Sequence, residues 1–194
     1  MEMNQTQRLP VPRDVAWQAL NDPALLKQCI PGCESIEPDG DNAWLLTLTA
    51  AVGPVKARFK GRMALMDIQA PESYAIHFDG QGGAAGFGKG VARVALAPAG
   101  DETDLSYTVQ AQVGGKIAQI GSRLVDAAAR KMADTFFARF TAAVTGTDGD
   151  TGDPSATQET QEAQAEQPAP PASAEQEQQE GKQKRSWTAW ISKS

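Results

Sequence analysis

The sequence predicts a two-layer α+β fold in which a curved antiparallel sheet packs against one long amphipathic helix. Three observations predict it. Between residues 35 and 113 apolar side chains recur at every second position in runs separated by turn signals, the pattern of half-buried antiparallel strands. From residue 116 to 144 the apolar step changes to three or four and proline is absent, which is the pattern of a helix with one buried face. Nearly all the Val, Ile, Leu, Phe and Met of the 194-residue chain lies in residues 1 to 145, so that segment alone has the material for a core.

The elements follow in order. A short strand is expected around residues 3 to 9, then two short helices over 12 to 20 and 23 to 28, with Pro23 after Asp22 marking a fresh helix start. Pro31-Gly32 turns the chain into the sheet. The clearest strand spans residues 55 to 65, where Val55, Ala57, Phe59, Gly61, Met63 and Leu65 alternate with Lys56, Arg58, Lys60, Arg62 and Ala64. Trp44, Leu46 and Leu48 repeat the alternation, as do Tyr74, Ile76 and Phe78, and then Leu105, Tyr107, Val109, Ala111 and Val113. Turn signals at Pro38-Asp39-Gly40, Gly53-Pro54, Ala70-Pro71, residues 80 to 90 and Ala99-Gly100-Asp101 have meander spacing. Ile117, Ile120, Leu124, Ala128, Met132, Phe136 and Phe140 then step along one helix of about 28 residues, at 3.6 residues per turn. A sheet curved around that helix leaves a gap, and small residues widen it: Gly121, Ala127, Ala128 and Ala129 on the helix, Ala57 and Gly61 on the strand. An internal apolar cavity is the expected result.

Beyond residue 145 the composition changes. The net charge of −6 divides into −1 over residues 1 to 145, −9 over 146 to 180 and +4 over 181 to 194. Residues 146 to 186 contain no Val, Ile, Leu, Met or aromatic residue, cannot offset the entropy of ordering, and are expected to be a disordered acidic linker rich in Pro, Gln and Glu. Such a linker spans roughly 35 Å on average. It ends in basic residues from position 182 and a tryptophan-bearing tip over 187 to 194.

Several classes are excluded. The near-neutral domain offers no electrostatic support for a nucleic-acid partner. No run reaches the ~20 apolar residues of a membrane-spanning helix, and the polar start does not read as a leader, so a cytoplasmic location is expected. Two cysteines, Cys29 and Cys33, and one histidine, His77, cannot complete a four-ligand Cys/His zinc site in one subunit.

Several motifs together are familiar. The turn Pro31-Gly32-Cys33-Glu34-Ser35, the segment Val52-Gly53-Pro54-Val55-Lys56 followed by Phe59-Lys60-Gly61, the loop ending Gly88-Lys89-Gly90, and Val113-Gly114-Gly115-Lys116-Ile117-Ala118 leading to Gly121 occur in this order. Over residues 1 to 145 they resemble the carbon monoxide dehydrogenase G-subunit family. The resemblance implies the helix-grip fold of the START-like (Bet v 1-like, SRPBCC) superfamily, with a sheet wrapped around one long C-terminal helix and a tail after it. It also implies a non-enzymatic accessory protein of a molybdenum hydroxylase such as carbon monoxide dehydrogenase. Such a protein binds a hydrophobic small molecule, a quinone foremost, with no covalent cofactor, and links the enzyme to the inner membrane and respiratory chain as a peripheral protein. The alternatives are an assembly factor or recruiter with an incidental cavity, or an enzyme of the same superfamily.

Candidate site residues fall into three groups. Phe59, Met63, Leu65, Ile76, Phe78, Val109, Ile117, Ile120, Leu124 and Phe136 are core residues first and, as a set, would line a cavity for a polyprenyl or aromatic ligand. The loop over residues 80 to 90 lacks the Ser or Thr of a phosphate-binding loop and precedes a strand, so it is expected to be a mobile lid with Phe87 as its apolar plug. Lys182, Lys184, Arg185, Trp187, Trp190 and Ile191 form the third group. They suit an anionic membrane surface, with tryptophan at the interface, or grooves on a partner protein. Lys56, Arg58, Lys60 and Arg62 make a basic stripe that is either a solvated strand face or a dock for an acidic partner surface or anionic headgroups. Cys29 and Cys33 read as structural thiols, and His77 as a solvent-facing residue with no catalytic partner.

Overall fold

The computed structural model describes residues 1–146 of the chain. The expectations for the acidic linker and for Lys182, Lys184, Arg185, Trp187, Trp190 and Ile191 lie outside the described residues, apart from the linker's first position.

Strand β1 (Glu2–Leu9) leads into helices α1 (Arg13–Leu20) and α2 (Pro23–Cys29). Strands β2 (Cys33–Pro38), β3 (Ala43–Val52), β4 (Val55–Gln69), β5 (Ser73–Gln81), β6 (Phe87–Ala99) and β7 (Glu102–Gly114) follow as successive hairpins, and helices α3 (Lys116–Gln119) and α4 (Ser122–Thr145) end the domain. The sheet order is β1-β7-β6-β5-β4-β3-β2, antiparallel throughout. β1 therefore closes the edge opposite β2, and α1 and α2 carry the chain from one edge to the other. This is the helix-grip arrangement: one curled sheet around one long helix.

Local chemistry explains the elements. Asp22 caps α2, its carboxylate accepting from the backbone N–H of Ala24 at 2.8 Å and of Leu25 at 3.4 Å, with Pro23 at the first turn. In β4 the alternation is realised residue for residue: Lys56, Arg58, Lys60 and Arg62 are exposed and Val55, Ala57, Phe59, Gly61 and Met63 are partly covered. The strand also runs past residue 65, where the register shifts between Met66 and Gln69.

Two expectations are corrected. The helix is not continuous from residue 116, because Gly121 takes φ +98° between α3 and α4, a backbone geometry that L side chains resist. The interruption changes the helical phase, so Val125 is 7% exposed and Leu124 is 49% exposed. The segment 80 to 90 is also not one open loop. β6 begins at Phe87, opposite Gln81 of β5 and Gly114 of β7, which leaves only residues 82 to 86 between the strands.

The main core gathers Leu9, Leu105, Phe140 and Cys29, each no more than 1% exposed, from β1, β7, α4 and α2. Buried Thr103 fastens this core, its hydroxyl donating to the Val11 carbonyl at 2.8 Å. Aromatic pairs bind α4 to the sheet and continue along it: Tyr107 stacks on Phe137 at 5.4 Å and Phe136 on Phe140 at 5.8 Å between ring centroids. A second, smaller cluster around Ala85, Ile117 and Val125 closes the far end.

Candidate functional site

Helix and sheet part between these two clusters. The main chamber there has a volume of about 470 Å³, within the range of roughly 300–1,000 Å³ typical of small-molecule sites. A deeper chamber of about 190 Å³ shares Ile30, Met63, Ile76 and Ala92 with it. On the outside, a groove of about 460 Å³ between the β3–β4 turn and α4 shares Ala50, Ala128 and Met132 with the main chamber.

The walls are apolar for a reason visible in the register. Residues paired across antiparallel strands share a face, and Met63, Phe78, Gly90 and Ala111 form one inward row while Leu46, Gly61, Gly80, Gly88 and Val113 form the next. Among the side chains bordering the main chamber only those of Arg62 and Asp79 carry charge, and the Met1 ammonium at its border donates to the Ala111 carbonyl at 3.0 Å. The two side chains belong to outward rows, and Arg62 is held by Asp39 at 2.5 Å. The deeper chamber is aromatic, bordered by Trp44, Tyr74, Tyr107, Phe136 and Phe137. Burial raises the Tyr74 phenol well above its ordinary value. Tyr107 is raised too, by burial and then by Asp134, while its hydroxyl donates to Gln5 Oε1 at 2.5 Å. Both phenols stay protonated, and the Tyr107 proton is given to Gln5.

The sequence-derived site residues divide. Phe59, Met63, Ile76, Phe78 and Ile117 border the main chamber, and Leu65 and Phe136 join Met63 and Ile76 around the deeper one. Val109 packs against the main core on the same sheet face without bordering either chamber. Ile120 belongs to the small end cluster. Leu124 borders the outer groove, turned from the cavity by the break at Gly121. Phe87 stands in an outward row with Gln81 and Gly114, where a Cβ on Gly114 would run into its ring. It is not a plug. The residue of that segment that closes the cavity end is Ala85, 7% exposed in the small cluster, while the Gly82 N–H donates to the Gly86 carbonyl at 2.7 Å. Gly80 and Gly88 are cavity wall that the sequence reading misses, although both sit in phase with the inward residues Ile76, Phe78, Ala92 and Val94.

The remaining candidates are surface features or core thiols. In the basic stripe Arg58 is paired with Glu34 at 2.5 Å and Arg62 with Asp39, leaving Lys56 and Lys60 as its unpaired charges among the described residues. The Glu34 carboxyl is held below its usual value by a hydrogen bond from Thr49 at 2.8 Å, and by Arg58. His77 is exposed on the outer face beside Asp79 and Lys89. Burial pushes the Cys29 and Cys33 thiols up, and both are free. Among the described residues no three His, Cys, Asp or Glu side chains are grouped to hold a metal ion, and no helix is long and apolar enough to cross a membrane.

Comparison with known proteins gives the following. The family model described as the G subunit of carbon monoxide dehydrogenase (CoxG) matches residues 6–145. No curated protein matches. Among solved structures, a conserved protein from Geobacillus kaustophilus is 30% identical, with a TM-score of 0.72 over 76% of this chain and 97% of that one. A Thermus thermophilus protein, 16% identical, superposes with a TM-score of 0.57 over 77% of this chain and 100% of its own. The Zhui aromatase/cyclase from Streptomyces, 12% identical, gives 0.57 over 78% and 98%. The last two likenesses concern the fold alone.

Proposed function

The chain belongs to the carbon monoxide dehydrogenase G-subunit (CoxG) family, and from that membership we propose a non-catalytic accessory protein that carries an apolar ligand, a quinone, for a molybdenum hydroxylase such as carbon monoxide dehydrogenase. The observation that carries the reading is the pair of apolar chambers between sheet and α4, about 470 and 190 Å³, whose neighbouring charged side chains face outward. An interior of that size with no inward charged side chain favours a ligand whose transfer from water is driven by apolar surface, at about 25 cal/mol per Å² buried. The quinone ring would occupy the main chamber, with its substituent directed along the deeper one or out through the groove.

The full protein also links the hydroxylase to the inner membrane through its tail. Charge layout supports the link. No Asp or Glu occurs in residues 43 to 66, 80 to 100 or 105 to 125. The sheet end formed by the β3–β4 turn, residues 82 to 86 and α3 presents Lys56, Lys60, Lys116 and Arg123; Glu34 is taken up by Arg58, and Asp126 lies one helical turn beyond Arg123. Basic residues near an anionic surface contribute about 1 kcal/mol each.

Equilibrium dialysis of the full chain against decylubiquinone tests the ligand reading. Saturation near one molecule per chain is expected. Absence of saturable binding overturns it and leaves the pure recruiter.

A further inference from the structure

The two edges of the sheet are built differently. β2 carries the devices that keep an exposed edge from pairing with another chain. It has six residues, its register on β3 shifts between Cys33 and Ser35, it bears Glu34 and Glu37, and it ends at Pro38, which has no N–H to give. β1 has none of them. Its eight residues include no proline and no lysine, and all of them pair with β7 in one unbroken register, from Glu2 opposite Gln110 to Leu9 opposite Thr103.

The phase of that register fixes what the free side offers. The Met1 ammonium donates to the Ala111 carbonyl at 3.0 Å, and the Ala111 N–H donates to the Met1 carbonyl at 3.0 Å. Hydrogen-bonded and non-hydrogen-bonded residues alternate along an antiparallel pair, so Met3, Gln5, Gln7 and Leu9 exchange hydrogen bonds with β7. Glu2, Asn4, Thr6 and Arg8 aim their N–H and C=O groups away from it. β1 is the last strand of the sheet, and among the described residues the backbone of these four has no hydrogen-bond partner. Their side chains are exposed.

A second β1 matches that edge. Two copies related by a two-fold axis at Gln5 pair antiparallel, with Glu2 opposite Arg8 of the second copy and Asn4 opposite Thr6. Edge-facing residues then meet edge-facing residues along the whole strand, and every free N–H and C=O is taken up. The end residues carry opposite charge, and such cross-strand pairs favour their register. A slip of two residues removes both Glu2–Arg8 contacts, and a slip of one sets the free groups of one strand against the used groups of the other. Contacts of Arg8 with Glu102 at 3.0 Å and Asp104 at 2.6 Å keep its guanidinium on the outer face of the sheet, the face that also carries Glu2.

We propose that β1 is the interface of a two-fold homodimer in which two seven-stranded sheets join edge to edge. A second copy fits better than a strand of another protein because this edge complements itself in both hydrogen-bond phase and charge, as an isologous contact requires. No residue of β1 borders either chamber, so the dimer and the ligand reading stand or fall separately.

Sedimentation velocity of the full chain, at concentrations up to the millimolar, tests the pairing on the native sequence, Thr6→Pro and Glu2→Arg. Thr6→Pro deletes an N–H that β7 does not use, and Glu2→Arg sets two positive charges opposite each other. The native chain is expected to form a concentration-dependent dimer. Its dissociation constant is expected to rise at least about tenfold in Thr6→Pro, where the edge loses a donor, and at least about threefold in Glu2→Arg. If Thr6→Pro fails to fold, the exposed Glu2→Arg change decides alone. A native chain that stays monomeric, or a dimer that Glu2→Arg leaves unchanged, overturns the proposal.

Discussion

Single residues show which physical effect governs each position. Thr103 is fully buried, and its hydroxyl is the partner of the Val11 carbonyl between β1 and α1. Thr103→Val keeps the shape and removes the donor, so a buried acceptor is left unmade at a cost of about 1–3 kcal/mol. Urea unfolding is expected to show that loss with an unchanged slope. The ion pairs Arg58–Glu34 and Arg62–Asp39 sit on exposed side chains, where such pairs contribute about 0–1 kcal/mol. They shape the surface charge more than the stability. Inward residues of β4 and β5 are legible in the sequence because period two ties each side chain to a face. Phe87 is not, because its position depends on pairing with Gln81 and Gly114, residues that a local reading counts as loop or turn.

At the scale of elements, the strands are legible wherever alternation runs through apolar residues and illegible where glycine carries it. Gly88 and Gly90 continue the inward alternation of β6, yet their composition reads as a loop, since a missing side chain leaves no hydrophobic signal. The helix fails in the opposite way: Ile117, Ile120 and Leu124 keep helical spacing across a break that only the φ of Gly121 reveals. Gly121→Ala forces an L residue into that geometry and is expected to destabilise the domain by about 1–3 kcal/mol. Gly80→Ala, at an unstrained position, is expected to stabilise it by about 0.4–1 kcal/mol through the unfolded chain. Chemical denaturation of the two variants measures both signs, and equal effects would refute the distinction between forced and unforced glycine.

Across the whole molecule, the proposed movement of an apolar cargo between a membrane and an enzyme draws on the apolar chambers, on the carboxylate-poor sheet end and, from sequence alone, on the basic Trp187 and Trp190 segment. Co-sedimentation with liposomes containing anionic lipid separates the contributions. The full chain is expected to pellet, and a chain ending at Gly181 to pellet much less; equal pelleting removes the tail from the mechanism. Of the small residues that suggest a cavity in the sequence, Gly61, Ala128 and Ala129 border it and Ala57, Gly121 and Ala127 do not; its existence and size are not legible, because both depend on sheet curvature and helix phase that no local pattern encodes. The central claim is that this interior holds an apolar ring-bearing molecule. Native mass spectrometry of the protein as purified, followed by solvent extraction of the same sample, measures that directly. An added mass near one per chain that extracts as a quinone or related ring compound is expected, and a ligand-free chain that also fails to take up added quinone would contradict the claim.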